Sequence, residues 1–270
     1  RRGGRNDIPA LSLSLITNTI DIIYDQNNDN KSRSIGLSGT LKNNTNEPDL
    51  GIKPLLPQYD QIGTGLYLHE KRRSSRWLLE YGGRYDYQFL EVSTFDADKN
   101  LIKPRYHFHF GAASLGASYY ISSSSRLINN ASFSTRPPHV SELFSEGLHH
   151  STGSIEEGIL YEDGDWDTNE KLLMETSYKW SSTYQLEKNN LAMEVSAYAN
   201  LLKNFVSLQP TDTRLTIRGY FPVFQFVQTD AVLSGADMSI RWIVHKNLTY
   251  TAKGSYLYVQ DVTNEDRLVY

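Results

Sequence analysis

Hydrophobic and polar residues alternate along nearly every stretch of this chain that is not a turn. Trp77, Leu79, Tyr81, Tyr85, Tyr87 and Phe89 fall on one side of an extended segment, and Glu80, Arg84, Asp86 and Gln88 fall on the other. Successive side chains of a β-strand point to opposite faces, so period two over this length predicts a half-buried strand. The same phase recurs in Leu172, Met174, Thr176, Tyr178 and Trp180, set against Lys171, Glu175, Ser177 and Lys179. It returns in Met238, Ile240, Trp242 and Val244, and again in Leu248, Tyr250, Ala252, Tyr256 and Tyr258.

Extended along the chain, the pattern predicts strands over Pro9–Tyr24, Arg33–Leu41, Gln61–His69, Arg76–Leu90, Arg105–Ile121, Arg126–Phe133, Lys171–Trp180, Leu191–Phe205, Phe224–Val244 and Asn247–Val259. Short connections are expected at Gln26–Lys31, Lys71–Ser75, Ser122–Ser125, Ser181–Lys188 and Val244–Asn247. Long ones are expected at Lys42–Asp60, Glu91–Pro104, Ser134–Asn169 and Val206–Val223. Short and long alternate strictly, which puts all the short turns on one rim of a sheet and all the long loops on the other. That sorting belongs to antiparallel transmembrane barrels, whose short turns are periplasmic and long loops extracellular. Several strands also exceed the roughly 9–11 residues that cross a bilayer. A soluble β-sandwich would alternate too, but nothing would sort its loops by length.

Composition refines this picture. The 270 residues show no shift in character along the chain and fit one large β domain. Cysteine is absent, so disulfide frameworks and Cys-based metal or redox motifs are excluded. The 18 Tyr against 3 Met favour strands and interfacial aromatic belts. A formal charge of −4 without a basic block leaves no footprint for nucleic acid. Mean hydropathy is −0.49, and no run approaches the roughly 18 apolar residues of a membrane helix. Alternation halves the hydropathy of a barrel strand, so neither value excludes the membrane. Arg1 to Arg5 is a basic stretch with no apolar region behind it, unlike a signal peptide.

Enzyme signatures are missing. There is no nucleophile elbow, and His69-Glu70 lacks the second His of a zinc-protease helix. Gly63-Thr64-Gly65 lies inside a predicted strand and reads as small residues easing packing. The densest polar chemistry is in Ser134–Asn169, with His139, Glu142, Glu146, His149, His150, Glu156, Glu157, Glu162, Asp163, Asp165 and Asp167. Imidazole with carboxylate suits borderline metals such as zinc, and Glu146 would share a face with His149 if that stretch were helical. The plainer reading is a solvated acidic loop. Asp163, Asp165 and Asp167 match the first ligand positions of a calcium loop, but Thr168 and Met174 stand where its turn glycine and bidentate Glu belong. They are kept as a candidate cation site only. His107 and His109 share one face, opposite Tyr106, Phe108 and Phe110. If that aromatic face meets lipid, both histidines line the lumen and could serve a cation route.

At Arg136-Pro137-Pro138-His139-Val140-Ser141-Glu142-Leu143-Phe144 the chain resembles the TonB-dependent outer-membrane receptors, which carry an Arg-x-Pro segment followed by Glu-Leu at the start of a long extracellular loop. Arg136, Pro138, Glu142 and Leu143 carry that likeness. Further matches keep the family order: Gly82-Gly83-Arg84-Tyr85-Asp86 at the end of a strand pair, Glu170 and Glu175 at the next strand, Tyr198-Ala199-Asn200 with Asn204-Phe205-Val206, and Ser234-Gly235-Ala236-Asp237, where Asp replaces the usual Glu. Glu142 to Gly153, with the later Glu157-Gly158 pair, further resembles the zinc-type branch of the family.

The resemblance implies a segment of a barrel of about 22 strands around an N-terminal plug, in the outer membrane of a Gram-negative bacterium, importing a scarce nutrient with energy from the TonB complex. The chain is expected to supply about ten strands of that barrel over residues 1–270 and no plug. The missing strands, the plug, the TonB complex and outer-membrane lipid are its expected partners, and nucleic acid is not. No enzymatic activity and no required cofactor follow; the loop ligands would accept zinc or another divalent cation, and zinc, another metal or a metal chelate is the expected cargo. A passive porin-like barrel is the alternative reading, and a soluble carbohydrate-binding sandwich the second.

Overall fold

A computed structural model describes residues 13–46, 54–149, 152–216 and 219–263. Ten long strands occur in the order the alternation predicts: β1 (Leu13–Asn28), β2 (Lys31–Asn46), β3 (Gln58–Arg73), β4 (Trp77–Phe95), β6 (Arg105–Ser122), β7 (Ser125–Arg136), β12 (Glu175–Lys188), β13 (Leu191–Thr216), β14 (Gly219–His245) and β15 (Leu248–Asp261). The expected residues 9–12 of the first strand lie outside the described residues. Each long strand pairs antiparallel with the next, giving one continuous sheet instead of two packed ones. Among the described residues no ladder joins β1 to β15, so the sheet is open.

The short turns are tight, at residues 29–30, 74–76, 123–124, 189–190 and 246–247, all on one rim. Asp29-Asn30 and Asn189-Asn190 are residue types common in tight turns. The opposite rim carries the connections over 47–57, 96–104 and 137–174.

Three boundaries differ from expectation. The strand expected at Lys171–Trp180 begins only at Glu175, because Leu172 and Met174 pack against the buried core of the 137–174 connection. Ser181–Lys188 is strand, because Tyr184 and Leu186 continue the outward apolar phase of β12 opposite Leu127 and Ser125. The described residues of Val206–Val223 are also strand: β13 and β14 run on as a two-stranded ribbon paired as far as Thr216 and Gly219. Pro210 and Pro222 make that stretch look like a loop. They are tolerated because the ribbon has left its flanking partners, β12 pairing β13 only to Lys203 and β15 pairing β14 only from Ala231. A register shift falls at Pro210, and proline is accommodated at such bulges and at strand edges.

The ladder register sorts side chains onto two faces. Outward point Ile20, Ile22, Leu37, Leu41, Ile62, Leu66, Leu68, Leu115, Trp180, Met238 and Trp242, all exposed. The opposite face carries Ser38, Gln61, Arg84, Asp86, Gln88, Ser132 and Lys179, joined in part by Arg84–Asp86 at 2.6 Å, Arg84–Ser38 at 2.9 Å and Gln61–Gln88 at 3.0 Å. An apolar exterior with a polar interior is the arrangement of a transmembrane barrel wall. No helix among the described residues is long and apolar enough to cross a membrane.

The buried core lies on the interior face at the long-loop rim. Tyr59, Leu90, Val92 and Phe108 from the sheet meet Val140, Leu143, Phe144, Leu160 and Trp166 from the 137–174 connection, with Tyr106, Phe110 and Met174 packed around them. Leu66 is 57 % exposed near the middle of β3 on the outward face, so Leu66→Arg should cost ~2–4 kcal/mol when the strand is in lipid. Gln61→Arg, on the polar face, should cost far less. Urea unfolding from lipid vesicles, followed by tryptophan fluorescence, measures both; equal costs would contradict the assignment of faces.

Candidate substrate-capture site

The 137–174 connection is a folded unit held at the mouth of the polar face. Its first residues form a short helix, α1 (Val140–Phe144), with His139 as N-cap. Ser141 N donates to His139 Nδ1 at 3.2 Å, and His139 N donates to Glu142 Oε2 at 2.6 Å, so each end of the cap satisfies a backbone group the helix leaves open. The chain then forms β8 (Glu146–His149) and β9 (Ser154–Glu157), and β9 adds in parallel to the β14 ribbon through Val223 to Gln225. A small hairpin of β10 (Tyr161–Glu162) and β11 (Asp165–Trp166) follows. In the neighbouring connection β5 (Leu101–Ile102) pairs with the top of β4.

Arg136 fastens the unit to the sheet. Its Nη1 and Nη2 donate to Glu142 at 2.9 and 3.1 Å, while Nε and Nη2 donate to Glu175 at 3.0 and 2.7 Å. Glu175 also accepts from Val206 N at 3.2 Å. One guanidinium fork thus ties β7, α1, β12 and β13 together through charge-assisted bonds. Pro138 and Leu143 are fully buried beside it. All four residues of the Arg-x-Pro and Glu-Leu segment are therefore parts of the anchor.

Gly158 closes the unit from the other side. Its N donates to Ser145 O at 2.7 Å, and a Cβ there would meet Leu143 O at 2.2 Å. Only glycine lets the two backbones approach so closely.

The predicted ligands are distributed by this fold. Glu142 is engaged by Arg136. Glu146 to His149 is strand, not helix, so residues three apart point to opposite faces and Glu146 does not share a side with His149. His149 instead meets Glu156 across the β8–β9 ladder, Nδ1 to Oε1 at 2.9 Å, with Thr152 Oγ1 at 3.0 Å from the same nitrogen. Glu157, behind them, pairs with Arg214 of the ribbon at 2.8 Å. His150 lies outside the described residues. Among the described residues no group of three or more His, Asp or Glu is clustered to hold a metal ion.

Asp163, Asp165 and Asp167 do not converge. Asp163 occupies left-handed backbone, with φ 49°, in the β10–β11 turn. Asp165 accepts from Ala97 N at 3.0 Å, pinning the hairpin to the β4–β5 connection, and Asp167 accepts from Asn169 N at 3.1 Å. Burial, followed by Asp167 and Glu162, raises the Glu170 carboxyl above its usual range.

His107 and His109 stand on the outward face. Tyr87 OH lies 2.8 Å from His107 Nδ1 and Tyr85 OH lies 2.6 Å from His109 Nδ1. The condition that would have put them in the lumen fails, because Tyr106, Phe108 and Phe110 turn inward to receive Phe144 and Trp166. Arg214 is the contributor that ligand-type reasoning does not reach, whereas Glu156 and Gly158 are named from the sequence without the partners they have here. The Glu157-Gly158 pair in the sequence was the signal for the last.

An open-ended sheet with an apolar exterior, a polar interior and a folded loop over its mouth defines a segment of an outer-membrane β-barrel. Residues 10–269 match the family described as TonB dependent receptor-like, beta-barrel, and the chain belongs to that family. No curated protein sequence matches it. Among solved structures it is similar to the copper transporter OprC, with TM-score 0.74 and 14 % identity, covering 95 % of this chain and 39 % of that one. It is also similar to the FrpB iron transporter of Neisseria meningitidis (TM-score 0.58, 13 % identity, 95 % and 37 % coverage) and to the alcaligin outer-membrane receptor FauA of Bordetella pertussis (0.53, 12 %, 96 % and 40 %). The chain spans about two fifths of the length of these structures, and at such identities the likeness is one of fold.

Replacing Arg136 by Lys keeps the charge but removes the planar fork. Hydrogen exchange at Val140–Phe144 should then quicken by about tenfold or more, with the sheet amides unaffected. Burial lowers the His139 pKa from its ordinary value, opposed by Glu142 and assisted by Lys42 and Arg136. The unfolded loop therefore takes up a proton before the folded one. Stability from the neutral cap is complete above about pH 6.5 and declines as pH falls through the folded value. Protection of α1 amides should drop between neutral and acidic pH, and His139→Asn, which caps without titrating, should remove that dependence.

Proposed function

We propose that the chain is the capture-side portion of a TonB-dependent importer for a scarce metal ion, zinc being the first candidate, taken free or as a chelate. The observation that carries the reading is the anchored loop: a folded unit at the mouth of a polar barrel face presents His149 beside Glu156, with His150 next in sequence. Imidazole and carboxylate suit zinc and copper alike. OprC, FrpB and FauA are named for copper, iron and a siderophore, which supports a metal or metal chelate as cargo.

In this reading the loop concentrates the cargo and the polar face passes it inward. A plug domain and the remaining strands complete the barrel, and the TonB complex supplies energy. Unpaired strand edges are costly in hydrocarbon, so β1 and β15 would pair with those further strands. No covalent step is required of any residue, which distinguishes the reading from an enzyme.

The test is calorimetry on the whole receptor carrying this chain, titrated with zinc and with copper(II). Changing His149 and His150 together to Ala should weaken binding of the preferred ion at least about tenfold, the effect of losing one good metal-directed contact. Unchanged affinity for both ions would remove the loop from metal capture, while passive uptake without TonB would favour a porin.

A further inference from the structure

Where the aliphatic outward stripe of β2 and β3, with Leu37, Leu66 and Leu68, reaches the short-turn rim, it gives way to charge. There Glu70 is 1 % exposed although it points away from the lumen, on the same side of β3 as Ile62, Leu66 and Leu68. Three cations surround it. Arg33 Nε donates to Oε2 at 2.7 Å, Arg72 Nε donates to Oε1 at 2.5 Å, and Lys31 Nζ lies 3.4 Å from Oε2. Tyr81 OH donates to Oε1 at 2.6 Å.

One carboxylate cannot balance three cations. The ladder neighbours on this face add no second acid: Gln26 stands opposite Arg33, Asn28 opposite Lys31 and Leu79 opposite Arg72. Both guanidiniums meet Glu70 through Nε, which leaves their Nη groups directed elsewhere. Lys31 and Arg72 also line a groove with Arg73, Trp77 and Leu79. Trp77 packs against Tyr119, with ring centroids 4.7 Å apart, as an aromatic pair of the kind that marks the membrane–water boundary. Each component is thus at the level of lipid headgroups: a fixed cationic cluster with surplus charge, an aromatic belt beside it, and aliphatic wall running from it into the bilayer.

We propose that Lys31, Arg33 and Arg72 form a binding site for the phosphate of an anionic phospholipid in the periplasmic leaflet. Glu70 is its organiser. By holding both arginines through Nε it fixes their forks for bidentate contact with phosphate oxygens, and Trp77 and Leu79 flank the first carbons of the acyl chains. Basic clusters at a membrane surface attract anionic headgroups with an energy that accumulates per Lys or Arg.

The experiment is native mass spectrometry of the whole receptor, delipidated in detergent and titrated with phosphatidylglycerol, with phosphatidylcholine and with inorganic phosphate as separate arms. Phosphatidylglycerol should be retained in preference to phosphatidylcholine and should not be displaced by millimolar phosphate. Lys31→Gln, which leaves both arginine contacts to Glu70 standing, should weaken phosphatidylglycerol about fivefold, and Lys31→Gln with Arg72→Gln on the order of twentyfold. Heat-dependent gel mobility identifies folded variants, and the single variant keeps the test valid if the double one does not fold. Equal retention of the two lipids, or unchanged retention in a folded variant, overturns the proposal. Displacement by inorganic phosphate overturns the lipid assignment and makes free phosphate the ligand.

Discussion

Everything in this structure depends on the rule that backbone N–H and C=O groups placed in hydrocarbon must bond within the protein. Long antiparallel ladders satisfy that rule, and they impose period two on every strand that crosses. The apolar half of each strand is then committed to the outside, as Ile62, Leu66 and Leu68 are, and the polar half to the inside, as Gln61, Arg84 and Gln88 are. Length follows from the same source. Strands of 14 to 19 residues such as β12, β3 and β4 exceed the membrane and carry their upper ends beyond it, where the alternation no longer has to obey lipid.

Beyond the lipid level the phase of the sequence changes meaning. In β6 the aromatics Tyr106, Phe108 and Phe110 turn inward and His107 and His109 turn outward, the reverse of the order lower in the wall. The reason is the loop unit. A sheet alone has no interior to fill, so the buried core forms where Leu143, Phe144 and Trp166 are pressed onto the sheet's inner upper edge. Arg136 locks that arrangement with two carboxylates, and Gly158 permits the close backbone approach that completes it. The loop is therefore a packed part of the wall, and the ladder β9 makes with β14 extends the sheet across its mouth.

This division explains which features could be read from the residues. The ten crossing strands were legible, because each carries a period-two alternation and the connections between them sort by length, which a sandwich would not require. The family segment at Arg136 was legible as a pattern, although its role as an anchor required the partners Glu142 and Glu175 to be seen in space. The ribbon beyond Val206 was hidden by Pro210 and Pro222, which are breakers in a central strand but harmless once flanking strands have ended. The pairing of His149 was hidden for a related reason. A four-residue stretch of loop carries too little periodicity to separate helix from strand, and the strand it forms is dictated by the neighbouring ribbon through Arg214 and Val223. Asp163, Asp165 and Asp167 imitated a cation loop by spacing, yet a hairpin with left-handed backbone at Asp163 sends them apart.

The two functional readings lie at opposite rims because the two environments ask for opposite things of charged residues. At the loop rim, water is present on both sides, so an imidazole and a carboxylate can meet on a surface that changes sequence without disturbing the wall. At the turn rim the surroundings are lipid headgroups, and a charge facing outward there must be neutralised by the protein or by the membrane. Glu70 neutralises one of its three cationic neighbours and leaves the others with nothing from the protein to balance them across the ladder. An uncompensated cation beside hydrocarbon is costly, and the headgroup layer is where anionic phosphate is available to offset it. The arrangement of Lys31, Arg33 and Arg72 is thus more economical with lipid bound than without, and a lipid so held would fix the depth at which the apolar stripe of β2, β3 and β4 sits in the bilayer.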